Sequence, residues 1–458
     1  MAGLKRFSAG IVLAIFVGVF GYILVQSTRL RPIADDYCLG ASAVDGPFHS
    51  LIFWLTNWSG SPFSVLTQVL FASWPLAALP IGISSSISFV AAGLAVGLVT
   101  AYLLQARWAN APFKTSLLVI SVTTGWFVSF RVGQVLELRA GDDPIGNRSW
   151  IVAEILAHWQ TVNSGYVAAS SLAMLLLGWS FLSPYLESHR SRYIAIGLAS
   201  LVVGWTSYVF AASVAGAFLL VSFSIRLREA SVLTRRLEFS AVGILSGVAT
   251  SFLFPGARAR TDANVGSSID VLLEGLRNTP SGLGEWVSDV ASAPTFFAFL
   301  LGVVVASLGV AKRPSELSSP PQWVSGFLLL ASLLTYILNE LVAALIYGGL
   351  WHTVPGRLMI FMAALLMGVS LVRLIQSRDS ITTEVATVFS VLQTLIVVGV
   401  LALTVVGAVV LRASIDSRQV VWEQGPAEIR GLTFMDDREA EWVGECWRDI
   451  EGARQESQ

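Results

Sequence analysis

Two adjacent carboxylates, Asp35 and Asp36, stand just beyond the first apolar segment of the chain. That segment, 8–26, is long enough to cross a bilayer, so the pair is expected close to a membrane surface. Such a pair can supply a general base, because one carboxylate can stay ionised beside a protonated neighbour. One of them could instead cap a short helix that begins at Tyr37. On spacing alone, both interpretations stay open.

Arginine follows a Pro-Gly turn at two other places. The segment 255–260 supplies Arg258 and Arg260, and the segment 355–357 supplies Arg357. Pro-Gly ends a helix and turns the chain, and the planar guanidinium group can bind phosphate through two hydrogen bonds. Snorkelling of a single arginine to the membrane surface is the alternative. Two such turns at the same predicted depth are harder to explain by snorkelling than one would be, and for Arg357 both interpretations stay open.

Composition identifies the class of chain that must position these residues. Of 458 residues, 13% are charged and 54% are hydrophobic, and mean hydropathy is +0.69. Soluble domains have about 25% charged residues, so a soluble multi-domain protein is excluded. The net charge of −1 argues against a nucleic-acid partner. Two cysteines and four histidines form no metal-ligand cluster.

Apolar runs of bilayer-spanning length recur from end to end of the chain. They predict an all-α polytopic membrane protein with about eleven transmembrane helices, within a range of ten to twelve. The predicted spans are 8–26, 83–104, 115–133, 162–182, 193–209, 211–226, 238–255, 294–311, 322–342, 358–374 and 385–411. Residues 193–226 could form two short helices joined near Phe210 or one long tilted helix. The run 62–79, interrupted at Pro75, is predicted to lie in the interface or to re-enter.

The distribution of charge predicts the sidedness of these spans. With 62–79 outside the bilayer, the cytoplasmic segments hold fourteen basic and six acidic residues, and the remainder holds fifteen basic and twenty-four acidic residues. This split satisfies the positive-inside rule with the N-terminus in the cytoplasm. It predicts a transmembrane domain at 1–411, outer loops at 28–82, 134–161 and 256–293, and an outer C-terminal segment at 412–458.

Other residues near the outer face are candidates for supporting or acceptor-binding roles. His158 and Trp159 could stack on a sugar ring, and an intramembrane carboxylate such as Glu340 is a functional candidate by default. Arg131, near the end of its span, is predicted to pair with Glu137. The full set is Tyr37, Trp58, Glu137, His158, Trp159, Glu340 and His352.

Both cysteines, Cys38 and Cys446, are predicted to lie outside the cytoplasm, where disulfides persist. A bond between them would tie the C-terminal segment to the first outer loop. Two unpaired thiols are the alternative, and the sequence does not decide between them.

The acidic pair and the aromatic-rich loop that follows it resemble the GT-C superfamily of integral membrane glycosyltransferases. Residues 34–37, Ala-Asp-Asp-Tyr, and 58–64, Trp-Ser-Gly-Ser-Pro-Phe-Ser, are similar to a largely uncharacterised bacterial branch of it. That branch commonly has Gly-Arg where this chain has Gly60-Ser61, so the contact made by that arginine is missing here. It usually has Pro-Gly-Asn and then an arginine, for which Arg258 or Arg260 stands in.

The resemblance implies an inverting glycosyltransferase of the bacterial cytoplasmic membrane that uses a polyprenyl-phosphate sugar on the outer face. Arg258, Arg260 and Arg357 would hold the donor phosphate, and Asp35 or Asp36 would deprotonate a hydroxyl of a cell-envelope glycan or lipid acceptor. Some GT-C members bind a divalent cation, Mg²⁺, Mn²⁺ or Ca²⁺, which the acidic pair could help to hold.

Two other functions compete with this interpretation. A polysaccharide polymerase or ligase that uses lipid-diphosphate substrates would share the arginines without needing the acidic pair. A transporter or flippase would line a pathway with Glu340, Arg131 and the outer carboxylates. Transporters place such residues near the midplane of broken helices, whereas here they gather at the outer boundary.

Overall fold

The computed structural model describes residues 2–31, 36–57, 59–104, 112–137, 156, 159–183, 186, 188–227, 232–257, 268–307, 321–342, 350–376, 383–424 and 446. Within these residues the chain is helical and contains no strand. The prediction of an all-α protein is confirmed for this part of the chain.

The first half of the chain builds seven helices in its described residues. They are α1 (Ala2–Ser27), α2 (Asp36–Ala41), α3 (Pro47–Asn57), α4 (Pro62–Ala78), α5 (Ile81–Leu103), α6 (Pro112–Glu137) and α7 (Gln160–Leu182). Helices α4 and α7 each contain a π-helical stretch, at Val69–Ser73 and Asn163–Ala168.

Eight more helices follow in the described residues of the second half. They are α8 (His189–Gly204), α9 (Tyr208–Arg226), α10 (Val232–Ser251), α11 (Ser268–Val290), α12 (Ala293–Ser307), α13 (Pro321–Val342), α14 (Val354–Gln376) and α15 (Thr383–Gln424). A single 3₁₀ turn, Leu350–Thr353, precedes α14. Helix α15 continues beyond residue 411, the predicted end of the transmembrane domain.

Eight of the described helices are long and apolar enough to cross a membrane, which makes the chain a multi-pass membrane protein. A ninth span is counted if α11 and α12, bent by 42° at their junction, cross together. Two further predicted spans are helical but lack either the length or the apolar composition of these eight helices. Helix α8 has 16 residues, and α10 carries Arg235, Arg236 and Glu238 near its start.

Three predicted segments differ in detail from the structure. Residues 193–226 form two helices, which was one of the two predicted alternatives. The break between them lies at 205–207 rather than near Phe210. The run 62–79 forms the 17-residue α4, which is too short for the span criterion. The predicted outer loop 256–293 contains the long helix α11. This helix mixes polar and apolar residues, so its sequence contains no long apolar run.

Glycines set the closest approaches between helices of the bundle. A Cβ on Gly302 of α12 would lie 2.1 Å from the carbonyl oxygen of Leu365 in α14, and one on Gly368 would lie 2.1 Å from that of Phe299. Small residues of this kind let helix backbones pack closely where lipid supplies no hydrophobic driving force. The contact holds the middle of α12 against the middle of α14.

One end of the bundle contains the short helices α2 and α3 and the described candidate residues Asp36, His352 and Arg357, and we call it the loop end. Helices α1, α6, α13 and α15 finish there, and α5, α7 and α14 begin there. The Ser27 hydroxyl at the end of α1 bonds to that of Ser86 in α5 at 2.6 Å. Arg29, just after α1, forms a salt bridge of 2.6 Å to Asp416 of α15. Helices α1 and α15 therefore run in the same direction.

Candidate functional site

Asp36 lies at the start of α2 but caps a different helix. Its side chain is 1% exposed, and its carboxylate accepts hydrogen bonds from the backbone N–H groups of Gln160 at 3.1 Å and Thr161 at 2.8 Å. The Thr161 hydroxyl donates a third bond at 2.7 Å. The first N–H groups of a helix have no partner within it, and the positive end of its dipole attracts a carboxylate. The Asp36 carboxylate therefore accepts hydrogen bonds from the free N–H groups of α7 and interacts favourably with its helix dipole.

This arrangement separates the two members of the acidic pair. Three donors bind the Asp36 carboxylate, which leaves it poorly placed to collect a proton from a substrate. The capping alternative is therefore favoured for Asp36, although the helix it caps is α7 rather than its own. The general-base hypothesis now rests on Asp35, which lies outside the described residues.

A disulfide joins Cys38 and Cys446, with their Cα atoms 4.8 Å apart. Of the two alternatives that the sequence left open, the structure has the bonded one. Both cysteines are buried, and Cys38 lies two residues after Asp36 in the same short helix. The bond ties Cys446 to the short helix that starts at Asp36.

Segment 59–64 packs against the segment that carries the first Pro-Gly pair, Pro255-Gly256, which is helical in the structure. A Cβ on Gly60 would lie 2.4 Å from the Ala257 Cβ, 2.4 Å from the Tyr208 hydroxyl and 2.5 Å from the Ser251 carbonyl oxygen. The backbone N–H of Phe63 also donates to the Trp205 carbonyl at 3.0 Å. Gly60 thus meets the residue immediately before Arg258, so the two sequence motifs converge.

Arg357 occupies the first turn of α14 and is buried, with 4% of its side chain exposed. Its Nε donates to Asp289 Oδ2 at 2.9 Å, and its Nη1 donates to the Thr353 hydroxyl at 2.8 Å. The Tyr336 hydroxyl donates to the same Oδ2 atom, and the guanidinium carbon lies 5.9 Å from the centre of the Tyr336 ring. Neither Asp289 nor Tyr336 lies in a sequence motif that would have pointed to it.

A narrow cleft opens beside this cluster. It holds a cavity of about 20 Å³ and is lined by Phe130, Asp289, Ser292, Pro294, Thr295, Arg357, Ile360 and Phe361. The hydroxyls of Ser292 and Thr295 both donate to the Asp289 carbonyl at 2.6 Å. Within the described residues, the buried Arg357 Nη2 makes no hydrogen bond. The cleft therefore has polar and aromatic walls and a buried donor.

Other predicted residues lie between these elements. His352 is buried and makes an edge-to-face contact with Tyr166, their ring centres 5.6 Å apart. That contact links α7 to the turn before α14. Trp159 is half-buried just before α7, and its carbonyl accepts from the Asn163 N–H at 3.1 Å.

Two charged residues have neighbours that the sequence did not predict. Arg131 is buried and donates to Gln134 Oε1 at 2.9 Å, one turn further along α6. Its predicted partner Glu137 has a side chain outside the described residues. Glu340 lies near the end of α13, where a Cβ on Gly282 of α11 would come within 2.7 Å of its Cγ. The Asn339 side chain donates to it at 3.4 Å.

Several candidates lie outside the part of the chain that the structure describes. They are Asp35, Trp58, His158, Arg258 and Arg260, together with the side chain of Tyr37. Among the residues that are described, no group of three His, Cys, Asp or Glu side chains could hold a metal ion. The Asp36 carboxylate, facing N–H donors, does not suit a cation, so no catalytic step is assigned to one.

Comparison with known proteins gives no relative: no family model, curated protein or solved structure matches the chain.

Proposed function

We propose that the chain is an inverting glycosyltransferase of GT-C type, which transfers a sugar from a polyprenyl phosphate to a cell-envelope glycan or lipid. The observation that carries the proposal is the convergence of its sequence motifs at the loop end. Gly60 packs against Ala257, and Asp36 is linked to Arg357 through α7 and the turn before α14, whereas an apolar anchor would need no such contacts.

The contacts form two connected paths. Asp36 caps α7, and Tyr166 of α7 contacts His352, which precedes Thr353 and its hydrogen bond with Arg357. On the second path, Gly60 packs against Ala257, the neighbour of Arg258. These paths support a site in which Asp35 and the arginines that follow both Pro-Gly pairs face one substrate.

The predicted topology of eleven spans belongs to the same proposal. The eight apolar helices, the bent pair α11–α12 taken as one span, and helices α8 and α10 account for eleven crossings. An odd number is supported by the salt bridge between Arg29 and Asp416, because it requires the first and last spans to be parallel.

The side of the membrane is supported by the disulfide. Bonds between cysteines persist outside the cytoplasm, and Cys38 and Cys446 follow the first and last spans. We therefore place the loop end on the outer face of the bacterial cytoplasmic membrane, with the N-terminus in the cytoplasm. A lipid-linked donor would reach the site from the outer leaflet.

In the proposed reaction, Asp35 takes the proton from an acceptor hydroxyl while that oxygen attacks the anomeric carbon. The bond from the anomeric carbon to the phosphate oxygen breaks, and polyprenyl phosphate leaves with the bonding electrons. Attack opposite the leaving group inverts the anomeric centre. Arg258 and Arg260 would stabilise charge on the leaving phosphate. Arg357 suits that task less well than expected, because Asp289 offsets its charge.

The test uses the purified full-length chain in lipid nanodiscs with a panel of polyprenyl-phosphate sugars. We expect slow release of polyprenyl phosphate from at least one donor, measured by mass spectrometry. Asp35→Asn should abolish this release. Asp45→Asn changes an exposed carboxylate of the same loop and should leave it unchanged. Full release by the Asp35→Asn variant, or neither binding nor release with any donor, would refute the proposal.

A further inference from the structure

Within the part of the chain that the structure describes, two hydrogen-bonding positions of the Asp289–Arg357 cluster have no partner, and both belong to residues that line the same cleft. Arg357 is more than nine-tenths buried, and its Nη2 has no hydrogen-bond partner within the described chain. The bonds that Asp289 accepts from Arg357 and Tyr336 both end on Oδ2. No described residue donates to its Oδ1, and its side chain is 20% exposed.

The charge of the cluster disfavours an anionic ligand. Asp289 offsets the guanidinium of Arg357 at 2.9 Å, and Glu285, one turn earlier in α11, also acts electrostatically on Arg357. A phosphate bound here would bring its negative charge towards two carboxylates, and such like-charge contacts suppress binding. A neutral group that both donates and accepts hydrogen bonds meets no such repulsion.

The size of the cleft further limits which chemical group can bind in it. Its cavity of about 20 Å³ is close to the space that one water molecule needs, which is roughly 10–15 Å³ on this measure. A hydroxyl group is of similar size and can donate one bond while accepting another. Phe130 and Phe361 supply aromatic surface beside it. Ligand sites typically combine such apolar walls with a few placed polar groups.

We propose that this cleft binds one hydroxyl group of a carbohydrate, which accepts a hydrogen bond from Arg357 Nη2 and donates one to Asp289 Oδ1. The rest of the sugar ring lies outside the cavity. This inference rests on the proposed function, because it assigns a sugar-binding role to an arginine first expected to bind phosphate. It adds Asp289 to the residues that select the substrate.

Saturation-transfer NMR on the full-length chain in nanodiscs tests the inference, with methyl glycosides of several hexoses and pentoses as probes and inorganic phosphate as the anionic probe. We expect at least one glycoside to bind the unaltered chain and phosphate not to displace it. Asp289→Asn should weaken glycoside binding about tenfold or more, because the amide cannot replace the carboxylate as acceptor while keeping Arg357 in place.

A second variant leaves the ion pair intact. Ser292→Phe places a ring in the cleft and should abolish glycoside binding. Ser288→Phe adds the same ring at an exposed position of α11 that does not line the cleft, and it should bind as the unaltered chain does. Circular dichroism and gel filtration establish that each variant is folded.

The opposite pattern would overturn the inference. If phosphate bound and Asp289→Asn strengthened it, the cleft would be an anion site with Arg357 as its ligand. Absence of glycoside binding, or equal binding by the Ser292→Phe and Ser288→Phe variants, would also reject it. Release of polyprenyl phosphate is measured separately. A chain that releases it without binding glycosides retains the proposed function and loses only this inference.

Discussion

The carboxylate of Asp36 accepts two hydrogen bonds from Thr161, a residue 125 positions further along the chain. The contact fixes the first residue of α2 against the first turn of α7. Asp35 is the preceding residue in the sequence and lies outside the described residues. Of the acidic pair, the contact assigns a structural role to Asp36, and the hypothesis of a general base concerns Asp35.

The first prediction separates the roles of the acidic pair by stability. Asp36→Ala should lower the free energy of unfolding by about 2–3 kcal/mol, because it removes a helix cap and leaves buried N–H donors without a partner. Thr161→Val, which removes one donor of the three, should cost about 1 kcal/mol. Thermal unfolding in detergent measures both changes. Asp35→Asn serves as the control and should unfold at the same temperature as the unaltered chain. Equal melting of the Asp36→Ala variant would contradict the capping role.

The sequence predicted the helices more completely than their meeting points. Apolar length is local information, so the run of spans could be listed from composition alone. The contact partner of Asp36 could not be predicted in this way, because the local sequence pattern does not indicate which distant helix N-terminus requires a hydrogen-bond acceptor. Helix α11 was missed for a related reason. Its polar residues lower its mean hydropathy, yet Gly275 and Gly282 pack it closely against α13.

The second prediction concerns the disulfide. Cys38→Ser and Cys446→Ser should each destabilise the chain, by about 2–4 kcal/mol, because either change removes the same cross-link. The double variant should lose no more than either single variant, since the bond can be lost only once. Thermal unfolding of the three variants, with non-reducing peptide mapping of the unaltered chain, supplies the measurement. Additive losses, or a map in which both thiols are free, would show that the cysteines act separately.

The third prediction is a double-mutant cycle on Arg357 and Asp289. Arg357→Leu leaves Asp289 without its cationic partner, and Asp289→Leu leaves the guanidinium buried without its anion. Each should cost about 3–5 kcal/mol, with the lower end expected here because Asp289 is partly exposed. The double variant should cost less than the sum, since neither charge is left alone. Unfolding of the four proteins in detergent gives the coupling, and an additive result would mean that the pair contributes no joint stability.

Asp289 shows why the candidate site was only partly predictable. Arg357 could be found because it follows a Pro-Gly pair, a local sequence motif, although that pair lies in the first turn of α14. Asp289 lies at the end of an amphipathic helix and carries no motif of its own. Its importance comes from the contact with Arg357 and Tyr336, which depends on how α11, α13 and α14 pack.

The fourth prediction tests whether the two motif segments must meet. Gly60→Ala would place a methyl group 2.5 Å from the Ser251 carbonyl and 2.4 Å from the Ala257 Cβ. The Ser251 carbonyl belongs to the backbone and cannot rotate away as a side chain could. The segment 58–64 must therefore move away from α10. We expect a loss of about 1–3 kcal/mol in stability from the overpacking, and a larger relative loss in release of polyprenyl phosphate, because Arg258 follows Ala257.

Gly399→Ala is the matched control for that variant. A Cβ at Gly399, within α15, would meet no atom within 4 Å, and alanine favours a helix over glycine by up to about 1 kcal/mol. This variant should therefore unfold at the same or a higher temperature and keep its activity. If the Gly60→Ala and Gly399→Ala variants behaved alike in both assays, the contact between Gly60 and Ala257 would carry neither stability nor function. If Gly60→Ala lost stability but kept its rate of donor release, the meeting of the two segments would be structural, and the arginines after Ala257 would have to reach the donor independently of Gly60.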